Sequence, residues 1–181
     1  MTSSDLLVIA LGNPGPKYEN TRHNAGVSVL DELLSRHQAR LSAHKRTNTE
    51  CARLHTPGRT IIAARTRSYM NLSGGPVKAL ADYFGCSPAD LVVLHDELEL
   101  DLGTVRHRLG GGDKGHNGLK SISSALGTRD YHRVSLGIGR PPGRMDPSVF
   151  VLKPFSAKER IELSIMAADA ADEVERLATE L

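Results

Sequence analysis

Four short polar segments gather residue types that do chemistry near neutral pH: Gly12-Asn13-Pro14-Gly15, Thr21-Arg22-His23-Asn24, Met70-Asn71-Leu72-Ser73-Gly74 and His95-Asp96-Glu97-Leu98. A fifth, Gly110–Gly118, reads GGGDKGHNG. His23 is the best-suited acid or base, because imidazole is the side chain that titrates nearest neutrality and can take a proton from water. The sequence places it in the first turn of a helix, where the positive end of the helix dipole favours the neutral, base-competent ring. Asp96 follows an apolar run, and a carboxylate there can bind the far ring nitrogen and fix the tautomer. Taken alone, a His–Asp pair picked from a sequence is far more commonly a surface histidine and an ordinary loop aspartate.

Asn13, Asn71 and Asn117 put one amide at the start of each of three loops. Such amides can donate to a carbonyl oxygen that becomes an oxyanion, or accept from a peptide N–H or a ribose hydroxyl. Local backbone capping is the ordinary use of each one singly. Met70 reads first as core, although a thioether also packs well on a base or ribose.

Several chemistries are excluded by what is missing. No G-x-S-x-G elbow supplies a serine nucleophile, and no H-E-x-x-H supplies a zinc pair. Cys51 and Cys86 have no paired spacing, so neither a disulfide framework nor a zinc site is expected. Gly110, Gly112 and Gly115 formally spell G-x-G-x-x-G, which would suggest a nucleotide-dependent oxidoreductase. The run before them, Thr-Val-Arg-His-Arg-Leu, is charged where that fingerprint needs a buried strand. Hydrolysis by an activated water, beside a surface for a polyanion, is what remains.

The elements that must position these residues follow from the apolar pattern. Leu6–Leu11 reads as a buried strand and Leu91–Leu94 as another. A helix is expected to begin after Asn20 or Thr21, either of which can cap it, and to run to about His37 with Val27, Leu30 and Leu34 inward. Thr49–His55 and Thr60–Ala64 form a hairpin across Thr56-Pro57-Gly58-Arg59. Helices are expected over Pro76–Phe84 and near Leu119–Leu126, and strands over Thr104–Leu109 and near Val134–Ile138. Ser156-x-x-Glu159 is a capping box for a last helix whose inward face would be Ile161, Ile165 and Ala168. Alternating strands and helices with one hairpin predict a single compact α/β domain over residues 1–181, a twisted mixed β-sheet flanked by helices.

Composition fits that reading. The chain has 181 residues, 39% hydrophobic and 24% charged, which suits one domain with an aliphatic core. The opening apolar run is too short for a signal or a membrane span, so a cytoplasmic protein is expected. The net charge of +2 hides blocks. Residues 34–67 carry Arg36, Arg40, Lys45, Arg46, Arg53, Arg59, Arg65 and Arg67 against Glu50 alone, residues 103–144 are also basic, and the tail from Phe155 is acidic. That segregation suggests a one-sided basic surface for a polyanion, with solvated faces as the plainer alternative.

GNPGPKY-x-x-TRHNAG, MNLSG, HDELEL, GGGDKGHNGLKS and GIGRPPGRMDPSVFVL together resemble the signature blocks of bacterial peptidyl-tRNA hydrolases, in the family's order and spacing over nearly the whole chain. The resemblance implies a compact α/β monomer without metal that cleaves the ester between a peptide and the tRNA 3′ ribose. It implies that His23 activates the water and Asp96 orients His23. Asn13, Asn71 and Asn117 would position peptide and 3′ adenosine and polarise the ester carbonyl, with Tyr18 and Met70 lining the same cleft. The family often clamps the tRNA 5′-phosphate with a basic pair. Arg108 matches one arm, Ser135 stands at the other, and Arg133 is the expected replacement on the same strand face. A non-catalytic RNA-binding relative, like the chloroplast group II intron splicing factor of the same fold, is the alternative reading.

Overall fold

A computed structural model describes residues 5–181. Its seven-stranded sheet has the order β2-β3-β4-β1-β5-β7-β6. The strands are β1 (Asp5–Ala10), β2 (Ser42–His44), β3 (Thr49–Leu54), β4 (Thr60–Thr66), β5 (Leu91–Glu97), β6 (Val105–Leu109) and β7 (His132–Gly137). The four central strands β4, β1, β5 and β7 run parallel, while β2, β3 and β6 pair antiparallel at the margins. The sheet is therefore mixed, and the expected hairpin is β3–β4.

Helices α1 (Ala25–Arg36) and α5 (Ala157–Glu180) cover one face, α2 (Gly74–Phe84) and α3 (Asn117–Leu126) the other, and α4 (Pro147–Phe150) is a single turn. The alternation within β1 explains its unbroken apolar run. Leu6, Val8 and Ala10 join the core under α1 and α5, whereas Leu7 and Ile9 join the core under α2 and α3. All five are at most 1% exposed, and each buried leucine or isoleucine contributes roughly 1.5–3 kcal/mol by leaving water.

Two helices differ from the sequence expectation. Asn20 and Thr21 cap nothing with their side chains: Arg22–Asn24 form a 3₁₀ turn, Thr21 Oγ1 donates back to Tyr18 O, and α1 starts only at Ala25. Its buried residues are Ala25, Gly26, Val29, Leu30 and Leu33, with Val27 and Leu34 half-buried beside them.

In α5 the capping box forms as expected, but the inward face is rotated. Ile161 and Ile165 are 66% and 56% exposed, and the buried stripe is Met166, Ala167, Ala170, Ala171, Val174, Leu177 and Ala178. Small alanines let this helix approach its neighbours closely, so its packing face is marked by small size rather than by hydrophobic bulk. Among the described residues no helix is long and apolar enough to cross a membrane.

Candidate active site

Asp96 sits in the last turn of side chains on β5, which continues three residues past the expected apolar run. The strand carries the carboxylate inward, leaving it 4% exposed. Both its oxygens are taken by imidazoles. His23 Nδ1 lies 2.8 Å from Oδ2, and His116 Nε2 lies 2.8 Å from Oδ1.

His23 reaches Asp96 because the 3₁₀ turn that holds it is fixed from both sides. Its backbone N–H donates to Val151 O, and that of Arg22 to Lys153 O. The Arg22 guanidinium donates to Lys153 O, Pro154 O and Glu159 and lies 4.1 Å over the Phe150 ring. One turn on, Gly26 lets α1 press against the sheet, since a Cβ there would stand 2.6 Å from Leu94 O.

His116 was not singled out by the sequence reading. Nothing in the sequence marks it as a cap, because Asn117 beside it is itself a preferred N-cap type. The ring does the capping: Nδ1 accepts from the backbone N–H of Gly118 at 3.1 Å and of Leu119 at 3.4 Å. A nitrogen that accepts carries no proton, so the proton is on Nε2 and is donated to Asp96. The facing atoms of His23, Asp96 and His116 lie within 4.8 Å of one another, a spacing that suits a metal ion. In this tautomer His116 faces the carboxylate as a donor and not as a ligand.

With Asp96 holding Nδ1–H of His23, the remaining nitrogen, Nε2, is the one free to take a proton. Burial lowers the basicity of this ring, but the charge of Asp96 and its hydrogen bond outweigh burial, and the net pKa is raised above 6.5. That reverses the expectation that a helix dipole would dominate and favour the neutral ring: the dipole is weak on a 3₁₀ turn and the carboxylate is in contact. For Asp96, burial pushes the carboxyl up, and the two imidazoles more than reverse it, holding it well below the ordinary carboxylate range. Behind it His95 is 2% exposed, with Nδ1 against Asp96 O at 2.9 Å and Nε2 against Ser135 Oγ at 2.9 Å. Burial first, then the nearby His116, lower its pKa to about 3.

These groups face a cleft of about 520 Å³ whose walls include Asn13, His23, Met70, Asn71, Asp96 and Asn117. The structure thus brings together six of the nine expected site residues. The three amides differ in how firmly they are held. Asn13 is pinned: its Oδ1 accepts from Met70 N at 2.8 Å, which leaves Nδ2 as a donor. Asn71 and Asn117 are exposed at the starts of their helical turns. Lys114 closes one side by pairing with buried Glu97 at 3.3 Å.

The other three lie elsewhere. Tyr18 does not line this cleft; it packs edge-on against Tyr69 with ring centroids 6.4 Å apart, next to Met70 in sequence. Arg108 on β6 is half-buried and stands opposite Arg133 on β7. Arg133 is fully buried, so it is not presented as a second phosphate arm. Its guanidinium stacks on Tyr131 at 4.6 Å and donates to Gly112 O at 2.6 Å, bracing the glycine loop from beneath. Ser135 is likewise buried, on His95.

Known proteins share this sequence and fold. The family pattern described as peptidyl-tRNA hydrolase matches residues 7–181. The chain is 61% identical over 176 residues to peptidyl-tRNA hydrolase 1 of Corynebacterium glutamicum, covering 97% of each chain. It is 54% identical over 177 residues to the peptidyl-tRNA hydrolase of Rhodococcus erythropolis, covering 98% of this chain and 93% of that one. The crystal structure of peptidyl-tRNA hydrolase from Acinetobacter baumannii superposes with a TM-score of 0.91 at 29% identity, over 99% of this chain and 91% of that chain. The chain belongs to the peptidyl-tRNA hydrolase family.

Proposed function

We propose that this protein hydrolyses the ester between a peptide and the 3′ ribose of tRNA, releasing free tRNA, and that it acts as a cytoplasmic monomer without metal or other cofactor. The observation that carries the mechanism is the His23–Asp96 bond at 2.8 Å, which fixes the imidazole tautomer with its free nitrogen at the cleft. His23 Nε2 takes a proton from water as the water oxygen attacks the ester carbonyl. Asp96 stabilises the imidazolium that forms, and His116 completes the solvation of Asp96. The ribose oxygen leaves as the tetrahedral intermediate collapses, and it receives the proton from His23. An ester releases an alcohol, so no second acid for an amine is needed.

Asn13 is the best-placed oxyanion donor, because an amide fixed before reaction costs no reorganisation when charge develops. Asn71 and Asn117, on exposed turns, contact peptide and 3′ adenosine. Met70, packed at the cleft floor, offers an apolar surface to the sugar or base. Arg108 contacts the 5′-phosphate end. The intact hydrogen-bonded triad favours catalysis over RNA binding alone. The deciding assay is hydrolysis of an N-blocked aminoacyl-tRNA: turnover is expected, its unblocked counterpart serving as comparison. Binding of the RNA without any release of the blocked amino acid would leave the RNA-binding reading in its place.

A further inference from the structure

We propose that Asn24 is a positioning residue that holds Asn13 in register with the base, an inference that rests on the catalytic reading above. Two bonds join the residues in a ring. Asn13 N–H donates to Asn24 Oδ1 at 2.9 Å, and Asn24 Nδ2 donates to Asn13 O at 2.9 Å. Together with Met70 N–H on Oδ1, every polar group of Asn13 except Nδ2 is thereby engaged. Only the Nδ2 donor is left over.

Three features point to this function rather than to ordinary packing. First, Asn24 is the N-cap residue of α1, and its side chain makes no capping bond there. Asparagine is among the best N-caps, so local helix stability is given up when the amide turns away to reach Asn13. Second, Gly12 clears the approach: a Cβ on it would lie 3.0 Å from Asn24 Cγ and 2.8 Å from Val27 Cγ2. Third, the far side of the pair is open. A second cavity of about 570 Å³, bounded by Asn13, Asn24, Val27, Arg65 and Arg67, lies behind it. Asn13 borders both that cavity and the catalytic cleft.

Asn24 also adjoins His23 in the same 3₁₀ turn, which is anchored on Val151 and Lys153. One rigid turn therefore sets the base and, through the latch, the oxyanion donor. Misplacing a reacting group by about an ångström costs on the order of a hundredfold in rate, so this coupling has catalytic weight.

The test is a double-mutant cycle with Asn13. Asn24→Asp keeps the shape and the acceptor but loses the donor to Asn13 O; Asn24→Ala loses both. Each is expected to lower the pH-plateau kcat of the full-length enzyme about tenfold or more, with KM nearly unchanged. In an Asn13→Ala background the same substitutions should change kcat by less than about twofold, since nothing is left to position. Equal losses in both backgrounds, or a change confined to KM, would overturn the proposal. Hydrogen exchange at the Asn13 amide gives a readout independent of turnover. It should be slow in the wild type and at least about tenfold faster in Asn24→Ala, which removes the oxygen that accepts from it. An unchanged exchange rate overturns the latch even if activity falls. If the wild type releases no amino acid from tRNA, the catalytic reading fails separately, and exchange still decides whether the latch exists.

Discussion

His116 gives its Nε2 proton to the one oxygen of Asp96 that His23 leaves open, at 2.8 Å. Asp96 is thus shared between the ring proposed to change protonation during turnover and a ring whose tautomer is locked by helix α3. The first two predictions follow from that division.

His23→Ala removes the base and little packing, since the ring lies at a cleft wall. kcat is expected to fall by about 10²–10⁴, the usual worth of a positioned general base, with tRNA binding and thermal unfolding close to wild type. A loss below threefold in single-turnover kinetics would take His23 out of the mechanism.

The pH–rate profile reports the same pair. If His23 is the base, activity needs its neutral ring, whose pKa is raised by Asp96, so activity should be lost as pH falls through a value above 6.5. Asp96→Asn removes the charge that supports imidazolium, and the acid limb should move to lower pH, with a smaller kcat loss than His23→Ala. His116→Ala should move it the other way, because Asp96 then has only one imidazole to satisfy. It should also lower stability by about 1 kcal/mol through the lost helix cap. An acid limb that stays put in both variants would mean that the three groups are not coupled.

Much of this site was legible in the sequence because strand ends and helix starts are marked by turn residues, and parallel sheets gather such ends. β1, β5 and their polar continuations were readable for that reason, and so was the capping box of α5. What escaped was set by tertiary contact. Ile161 and Ile165 look like core until Ala167, Ala170 and Ala171 are seen to pack closer. Arg133 looks like a surface cation until β7 is placed inside the sheet with the glycine loop above it. His116 and Asn24 look like an ordinary loop ring and a helix cap in the sequence; their bonds to Asp96 and Asn13 exist only once the chain is folded.

The amides should separate kinetically. Asn13 is fixed by Met70 and Asn24, so Asn13→Ala should lower kcat by about 10²–10³ with a small change in KM, as expected for an oxyanion donor. Asn71 is exposed and lies in a short turn, so Asn71→Ala should act mainly on KM. The opposite assignment of kcat and KM effects would transfer the oxyanion role to Asn71.

His95 links the site to acid stability. Its folded pKa is lowered to about 3 from 6.5, so between those values the unfolded chain binds a proton that the native chain refuses. Its contribution is therefore fully present above 6.5 and is lost as pH falls through that window towards 3. His95→Gln should flatten the fall in denaturation midpoint between pH 6.5 and 4, even if it lowers stability at pH 7. A slope unchanged from wild type would assign acid unfolding to other groups.

Arg108 is left as the proposed arm for the 5′-phosphate, because Arg133 is fully buried. A guanidinium grips a phosphate through two parallel hydrogen bonds, so a single arginine can do part of the work of a basic pair. Arg106 shares the Arg108 face of β6 and is exposed, which makes it the better-placed helper. Arg108→Ala should raise KM for a 5′-phosphorylated substrate with little effect on kcat, and binding should weaken as salt rises. Removing the 5′-phosphate should erase most of that penalty. Arg133→Ala should behave differently: it deletes a large buried side chain and leaves Gly112 O without its donor, so stability should fall by about 3 kcal/mol. Its activity loss should be equal on phosphorylated and dephosphorylated substrates, because the glycine loop carries His116 and Asn117 with it. A phosphate-dependent loss in Arg133→Ala at unchanged stability would restore it as the second arm. A phosphate-independent loss in Arg108→Ala would move the contact away from β6, towards the basic stretch around Lys45 and Arg46.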